Sequence, residues 1–263
     1  QRINIGRALT DDAHFHGLID DVRIYNRALS SSEITSLSDL ESPSGDRITD
    51  SDVPNTGSGG IAKYSFNGDL TDDWSSNDGT GSGVEITNDS VYGSSVSFDK
   101  SNNDYVEVSN PDSSLDITGD ITVAVWAKWD SKSNHLIVGK DSYNNNQTYE
   151  FSRDGPNNSY VIRYRIDGTL YRGGFTPQNN KWYHLAWVLK DGDSILYVDG
   201  QREEKLNTET ISGVNDSSLQ IGGKPGGSVS MDGNLDDLRI YRKALEDSEI
   251  KEIYSKGSYN TQG

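Results

Sequence analysis

The chain contains no cysteine. Disulfides and thiolate chemistry are therefore both excluded as sources of stability or reactivity. That absence does not place the protein in the cytosol, because many bacterial and archaeal surface modules also lack cysteine. No apolar run approaches the ~20 residues a helix needs to span a bilayer, so no membrane insertion is expected. No leader peptide is legible either; the chain opens inside a repeat, and a leader is expected further upstream. Positive charge is scarce: 24 Lys and Arg stand against 41 Asp and Glu, a formal charge of −17. A phosphate backbone demands a basic face, which sets nucleic acid aside as a partner. An acidic surface serves solubility and would also suit high salt or calcium. Hydrophobic residues make up only 32% of the chain, a level at which disorder competes with folding. Five Trp and fourteen Tyr oppose disorder over most of the length.

What is abundant suits short strands and polar turns: 27 Gly, with many Asn, Ser, Asp and Thr. "ITVAVWAKW" (121–129) alternates strictly and carries a Trp on each face, the period-two signature of a strand. Further strands are predicted over 61–66, 91–98, 104–109, 135–140, 147–153, 159–166, 169–175, 181–190, 194–200, 218–223 and 233–241. Asp167-Gly168 between two of them is a tight-hairpin signal. One helix is predicted over 245–256, where Ile250, Ile253 and Tyr254 share a face. About twelve antiparallel strands and one short helix make an all-β sandwich.

The organisation is set by a repeat. "GLIDDVRIYNRAL" (17–29) returns as "GNLDDLRIYRKAL" (233–245), and 11 of 18 positions from Gly17–Ile34 are identical in Gly233–Ile250. A spacing of 216 residues is too long for a solenoid and fits one β domain plus a linker. Residues 40–60 hold two Pro, several Gly and Ser and almost nothing apolar, as a linker does.

In order along the chain, "YSFNGDLTDDWSSNDGT" (64–80), "VSFDKSNNDYVEV" (96–108), "ITVAVWAKW" (121–129), "NKWYHLAWVLKDGDSILYVDG" (180–200) and "LQIGGKPGGSVSMDGNLDDLRIYRKALEDSEI" (219–250) resemble the laminin G-like domains of the concanavalin A-like lectin/glucanase group. The resemblance implies a two-sheet antiparallel jelly-roll sandwich with one short C-terminal helix. It also implies an extracellular setting, a calcium ion in many members, and glycan or protein binding. The expected division is 1–40 as the C-terminal strands and helix of a preceding laminin G-like repeat, 41–58 as linker, 59–257 as a complete domain and 258–263 as tail.

The wider group includes glycan hydrolases with paired carboxylates on one strand, in a pattern near E-x-D-x-x-E. No such run is present, and the adjacent pairs Glu203-Glu204, Asp20-Asp21 and Asp236-Asp237 diverge on a strand. No nucleophile elbow accompanies His135 or His184. His184 reads as a structural histidine inside a strand. No catalytic residue is assigned.

For calcium, oxygen ligands gather in polar turns, and a jelly-roll site joining distant loops would bring Asp73, Asn77 and Asp78 toward Asp236 or Asp237. The alternative is that Asp236 or Asp237 pairs with Arg239 or caps backbone N–H groups, with the turn Asn and Asp there for conformational reasons. For ligand binding, Tyr160, Arg163, Tyr164, Arg165, Tyr171 and Arg172 form a local basic and aromatic exception in an acidic chain. The Arg would suit an acidic glycan or carboxylate. Equally, they would make cross-strand pairs with Glu150 and nearby Asp while the Tyr pack. Sequons stand at Asn88, Asn146, Asn157 and Asn215, a match that also arises by chance in such a chain.

Residues 3–39 alone cannot form a sandwich. They are expected to be a piece of a tandem array cut inside the preceding domain, a segment docked on the downstream domain, or a strand donor to other copies of the same chain. The expected protein is a non-catalytic, secreted or cell-surface binding module for a glycan or cell-surface protein. The alternative is a filament subunit assembled through residues 1–40. An enzyme acting on glycans ranks third.

Overall fold

The computed structural model describes residues 59–258, apart from Pro111, 141–147, 155–159 and Ser228. The first repeat copy, the linker at 41–58 and the sequons at Asn146 and Asn157 lie outside the described residues, as does nearly all of the expected tail.

Among the described residues there are fifteen strands and one α-helix. The strands are β1 (Gly60–Tyr64), β2 (Gly79–Ser82), β3 (Glu85–Thr87), β4 (Ser95–Phe98), β5 (Tyr105–Val108), β6 (Ile121–Trp129), β7 (His135–Lys140), β8 (Tyr149–Asp154), β9 (Val161–Ile166), β10 (Thr169–Arg172), β11 (Tyr183–Lys190), β12 (Asp193–Val198), β13 (Gln201–Asn207), β14 (Leu219–Ile221) and β15 (Gly233–Tyr241), and the helix is α1 (Asp247–Ser258). The first sheet runs β13-β12-β11-β6-β15-β4-β3, with β1 also on β15; the second runs β10-β9-β8-β7-β14-β5-β2. All pairings are antiparallel. The jelly-roll sandwich expected from the sequence is present.

Three hairpins turn on Asp-Gly. At Asp167-Gly168, Asp191-Gly192 and Asp199-Gly200 both residues have positive φ, the backbone that matches strand twist in a two-residue turn. Between the sheets lies one core. The first sheet contributes Val123, Val125, Trp129, Leu185, Trp187 and Leu189; the second contributes Tyr149, Phe151, Tyr164, Ile166, Leu219 and Ile221.

The double-faced β6 is explained by a third layer. Ile121, Val123, Val125, Ala127 and Trp129 face the core, while Ala124 and Trp126 face away from it. That outer side is closed by Ile250 and Ile253 of α1 and by Val91, Tyr92 and Tyr254. Its two apolar faces therefore mark a strand covered twice, rather than a strand with one wet face.

β15 is the hinge of the first sheet. Gly233, Asn234 and Leu235 pair with β4, and its later residues pair with β1, while β6 flanks both halves. The switch falls at Asp236-Asp237, where the register shifts and Asp237 takes a φ of 47°. Such a bulge bends a strand and leaves backbone groups unpaired. Gly233 lets β15 approach β6 closely: at its φ of 142°, an added Cβ would meet the Lys128 carbonyl oxygen at 2.1 Å.

Candidate functional site

The outer face of the second sheet carries a polar network. Alternation along β8 and β9 sends Tyr149, Phe151, Ile162, Tyr164 and Ile166 into the core. It leaves Glu150, Ser152, Arg163 and Arg165 on the other side. Register then aligns Ser152 with Arg163 and Glu150 with Arg165, and sets Arg172 of β10 opposite Arg163. The guanidinium of Arg163 donates from Nη2 to Glu150 Oε1 at 2.8 Å, from Nε to Ser152 Oγ at 2.7 Å and from Nη1 to Asp154 Oδ2. Arg172 Nη2 reaches the same Asp154 oxygen at 3.3 Å, and Lys224 Nζ reaches Glu150 Oε2 at 3.3 Å.

These charges are sheltered unevenly. Glu150 is 2% exposed and Arg163 8%, whereas the Arg172 side chain is 42% exposed. Burial pushes the Glu150 carboxyl up, but Lys224, Arg163, Ser152 and Arg165 outweigh it and hold the group below the ordinary carboxylate range. Beside Glu150, Gly139 of β7 lies between it and Gln220 of β14 in the register row. The neighbours close over that position: an added Cβ would meet Glu150 Cγ and Leu136 Cδ1, both at 3.3 Å. Gln220 is buried, and its Oε1 has no hydrogen-bond partner among the described residues.

The sequence-predicted ligand residues divide. Arg163 and Arg172 join the network, and Arg165 is half-buried nearby, donating from Nη1 to the Gly168 carbonyl at 3.4 Å. Tyr164 belongs to the core instead: it is fully buried, stacks on Phe151 and Trp187, and donates its hydroxyl to Glu204 at 3.2 Å. Period-two alternation puts it on the face opposite Arg163. Tyr171 stands opposite Tyr164 in register and packs against the same core. Tyr160 is half-buried, with its ring 5.6 Å from the guanidinium carbon of Arg153. The expected aromatic platform is thus not assembled beside the arginines.

Sequence reasoning missed Lys224 and Arg153, and it reached Asp154 only as an unnumbered Asp near Glu150. Asp154 was legible as the next same-face residue after Ser152. Lys224 comes from a Gly-rich loop that carries no periodic signal. Arg153 is fully buried over Trp129 and donates to the carbonyls of Ser131, Tyr160 and Pro177, pinning three loops.

The expected calcium ligands meet protein donors. Asp78 Oδ1 accepts the Asp72 N–H at 2.9 Å, Asn77 Oδ1 accepts the Ser114 hydroxyl at 2.8 Å, and Asp73 lies 3.9 Å from Lys63 Nζ. Asp236 Oδ2 accepts the N–H groups of Val91 and Tyr92, both at 2.7 Å. Asp237 accepts Arg239 Nε with both oxygens, at 2.9 and 3.0 Å. The first loop does approach the last strand, through Trp74, whose ring centroid is 5.2 Å from that of Tyr241 and 5.9 Å from the Arg239 guanidinium carbon. The cation that Asp237 meets there is an arginine. Among the described residues, no group of three or more His, Asp or Glu side chains is placed to hold a metal ion.

Both domain histidines are buried. His184 sits edge-on to Trp126 at 5.3 Å, and neither ring nitrogen has a hydrogen-bond partner among the described residues. Burial, with Arg239 adding to it, pushes its pKa down to about 3. His135 Nδ1 accepts the Asp232 N–H at 2.9 Å, and burial first, then Arg153 and Lys100, push it down to about 3 as well. Of the two described sequons, Asn88 is exposed, while Asn215 is buried and hydrogen-bonded.

This sandwich and its closing strand define the class. The chain belongs to the concanavalin A-like lectin/glucanases superfamily, whose family model matches residues 1–35 and 100–251. Within that superfamily the matching family is Laminin_G_3. The chain is also 25% identical over 160 residues to the adhesion G-protein coupled receptor V1 of Danio rerio. That match covers 53% of this chain and 2% of the receptor. Among solved structures, domain 4 of AbnA, an extracellular GH43 arabinanase from Geobacillus stearothermophilus in complex with arabinotriose, aligns with a TM-score of 0.60 and 19% identity. The alignment covers 74% of this chain and 98% of that one. Botulinum neurotoxin type C, described as depending on two ganglioside molecules to enter cells, aligns with a TM-score of 0.58 and 16% identity, over 76% of this chain and 51% of the toxin chain. At these identities the likeness is one of fold. No described helix is long and apolar enough to cross a membrane.

Proposed function

We propose that this chain is a non-catalytic extracellular binding module that recognises an acidic glycan on the outer face of its second sheet. The observation that carries the reading is the sheltered network of Glu150, Asp154, Arg163, Arg172 and Lys224. Removing charges from water costs more than burying apolar groups of the same volume, so an ionic network on a sheet face is a poor device for stability alone. It does hold guanidinium forks in a fixed orientation, which is what recognition of a carboxylate needs. With three cations against two carboxylates, the network is locally cationic in a chain of formal charge −17. Arg172, half in water with one partner oxygen, is the fork best placed to take a ligand carboxylate.

Catalysis is disfavoured by the same contacts. Glu150 and Asp154 both serve Arg163, so neither is set up as a proton donor or a nucleophile. The bound arabinotriose of the arabinanase domain and the gangliosides of the toxin support glycan recognition on this fold, and the receptor relative supports a cell-surface, adhesive setting. Fold alone does not set the ligand. A glycan array comparing uronic- and sialic-acid-bearing chains with neutral ones tests the reading: retention confined to acidic glycans supports it, and retention of neutral glycans alone refutes it.

A second reading is self-association through residues 1–40: the family model extends to residues 1–35, a segment too short to form a sandwich alone. Size-exclusion chromatography of the whole chain and of a version lacking residues 1–40 tests it. Assembly lost with the deletion supports segment exchange; assembly that survives opposes it.

A further inference from the structure

The end of β7 holds a lysine in an unusual setting. Lys140 lies opposite Leu219 and Tyr149, both core residues, so its side chain enters the sandwich rather than the solvent. The side chain is fully buried. Its Nζ meets four oxygens: Asp116 Oδ1 at 2.6 Å, Asn215 Oδ1 at 3.3 Å, the Ser217 carbonyl at 3.0 Å and the Asn215 carbonyl. Asn215 is itself buried, and its Oδ1 also accepts the Ser217 N–H at 2.9 Å. Asp116 is oriented by Asn110, whose Nδ2 donates to Asp116 Oδ1 at 2.9 Å.

An amine, a carboxamide and a carboxylate thus converge in a site largely closed to water. We infer that Lys140 and Asn215 form an intramolecular amide bond, with Asp116 as the proton carrier. An amine attacks only after giving up its proton, and the Asp116 carboxylate is within reach to take it. The Nζ lone pair then forms a bond to Cγ of Asn215, and the carbonyl π pair moves onto Oδ1. The Ser217 N–H already points at that oxygen and stabilises the charge as it develops. Asp116 passes its proton to Nδ2 and takes one from the former lysine nitrogen. The Cγ–Nδ2 bond breaks, the carbonyl re-forms and ammonia leaves, carrying off as ammonium the proton left on Asp116. No oxidant or cofactor enters the balance.

The location fits a staple. Lys140 and Asn215 are 75 residues apart in sequence, so the bond would close a covalent loop around β8 to β13. Cross-linking a loop of that length restricts the unfolded chain, as a disulfide does elsewhere. This chain has no cysteine with which to make one.

Mass spectrometry of the purified, cooperatively folded chain tests the bond. The expected result is an intact mass lower by one ammonia and a tryptic map with one branched peptide containing residues 140 and 215, uncut after Lys140. An N-terminal glutamine loses the same mass by cyclising, so the peptide map discriminates where the intact mass does not. Lys140→Arg keeps a cation facing Asp116 without a competent amine and should give only linear peptides and a lower melting midpoint. Asp116→Asn should leave Lys140 and Asn215 unlinked. Linear peptides and normal cleavage after Lys140 in the folded wild-type chain would overturn the inference and leave an ordinary buried ion pair.

Discussion

Glu204 accepts the backbone N–H of Gly174 at 2.6 Å, joining the edge strand of one sheet to the chain leaving the edge strand of the other. Its other oxygen takes the Tyr164 hydroxyl at 3.2 Å. Gly173 makes room for this clasp: a Cβ there would sit 1.8 Å from Glu204 Oε1. Glu204→Ala should cost about 1–2 kcal/mol by losing these bonds. Gly173→Ala should destabilise in the wild-type background and much less once Glu204 is Ala. Urea unfolding of the double-mutant cycle measures that coupling, and additive effects would contradict the clasp.

Asp236 fills the gap between β4 and β1. Asp236→Ala leaves the two N–H groups of Val91 and Tyr92 without their acceptor, at about 1–3 kcal/mol for each unsatisfied group. Asp236→Asn, which retains a carbonyl acceptor, should cost less. Equal losses in denaturant titration would show that the carboxylate itself, rather than an acceptor, is what the site requires.

Acid should weaken the fold through its histidines. His135 and His184 have folded pKa values of about 3 against an ordinary 6.5. The unfolded chain therefore binds protons first. The stabilisation is full above pH 6.5 and is lost as pH falls toward 3, with a slope of up to ~1.4 kcal/mol per pH unit for each histidine. Asp236 works in the opposite sense, since burial and the neighbouring Asp237 raise its pKa. His184→Leu should flatten the loss between pH 7 and 5. Unfolding at the two pH values checks this, and an unchanged slope would contradict it.

Calcium should have little to hold. Asp78 and Asp236 each turn one oxygen to backbone N–H groups, and Asp237 turns both to a guanidinium. No group of three or more His, Asp or Glu converges among the described residues, whereas calcium takes about six to eight oxygens. The calorimetric melting midpoint should be the same in calcium and in chelator. A rise with calcium would mean that the ion is held by a different set of oxygens.

The sandwich was legible wherever strands are covered. Strand β6 has two apolar faces because a core lies on one side and α1 on the other. The unforeseen strands, β2, β3 and β13, are all edges or border one face of water, with segments "GTGS", "EIT" and "QREEKLN". Edge strands are kept polar and short, which removes the pattern by which strands are read. At the candidate site, the Arg163–Glu150 pair is diagonal, one same-face step from the direct Glu150–Arg165 register, and a cross-strand pairing of the arginines with Glu150 was foreseen as one alternative. Placing Tyr164 beside Arg163 overlooked the alternation that sends adjacent residues to opposite faces. Lys224 was invisible because it reaches Glu150 from a loop 74 residues further along.

The binding face itself is tested by titration of the whole chain with an acidic oligosaccharide, comparing wild type with Arg172→Ala and Arg202→Ala. Arg163 is unsuitable, because its loss would break the buried pairs it makes with both Glu150 and Asp154, at about 3–5 kcal/mol. Arg202 is exposed on β13 of the other sheet and removes the same charge away from the network. The account predicts that Arg172→Ala weakens binding at least tenfold, about 1.4 kcal/mol, while Arg202→Ala binds as wild type. Equal affinities for all three proteins would contradict it.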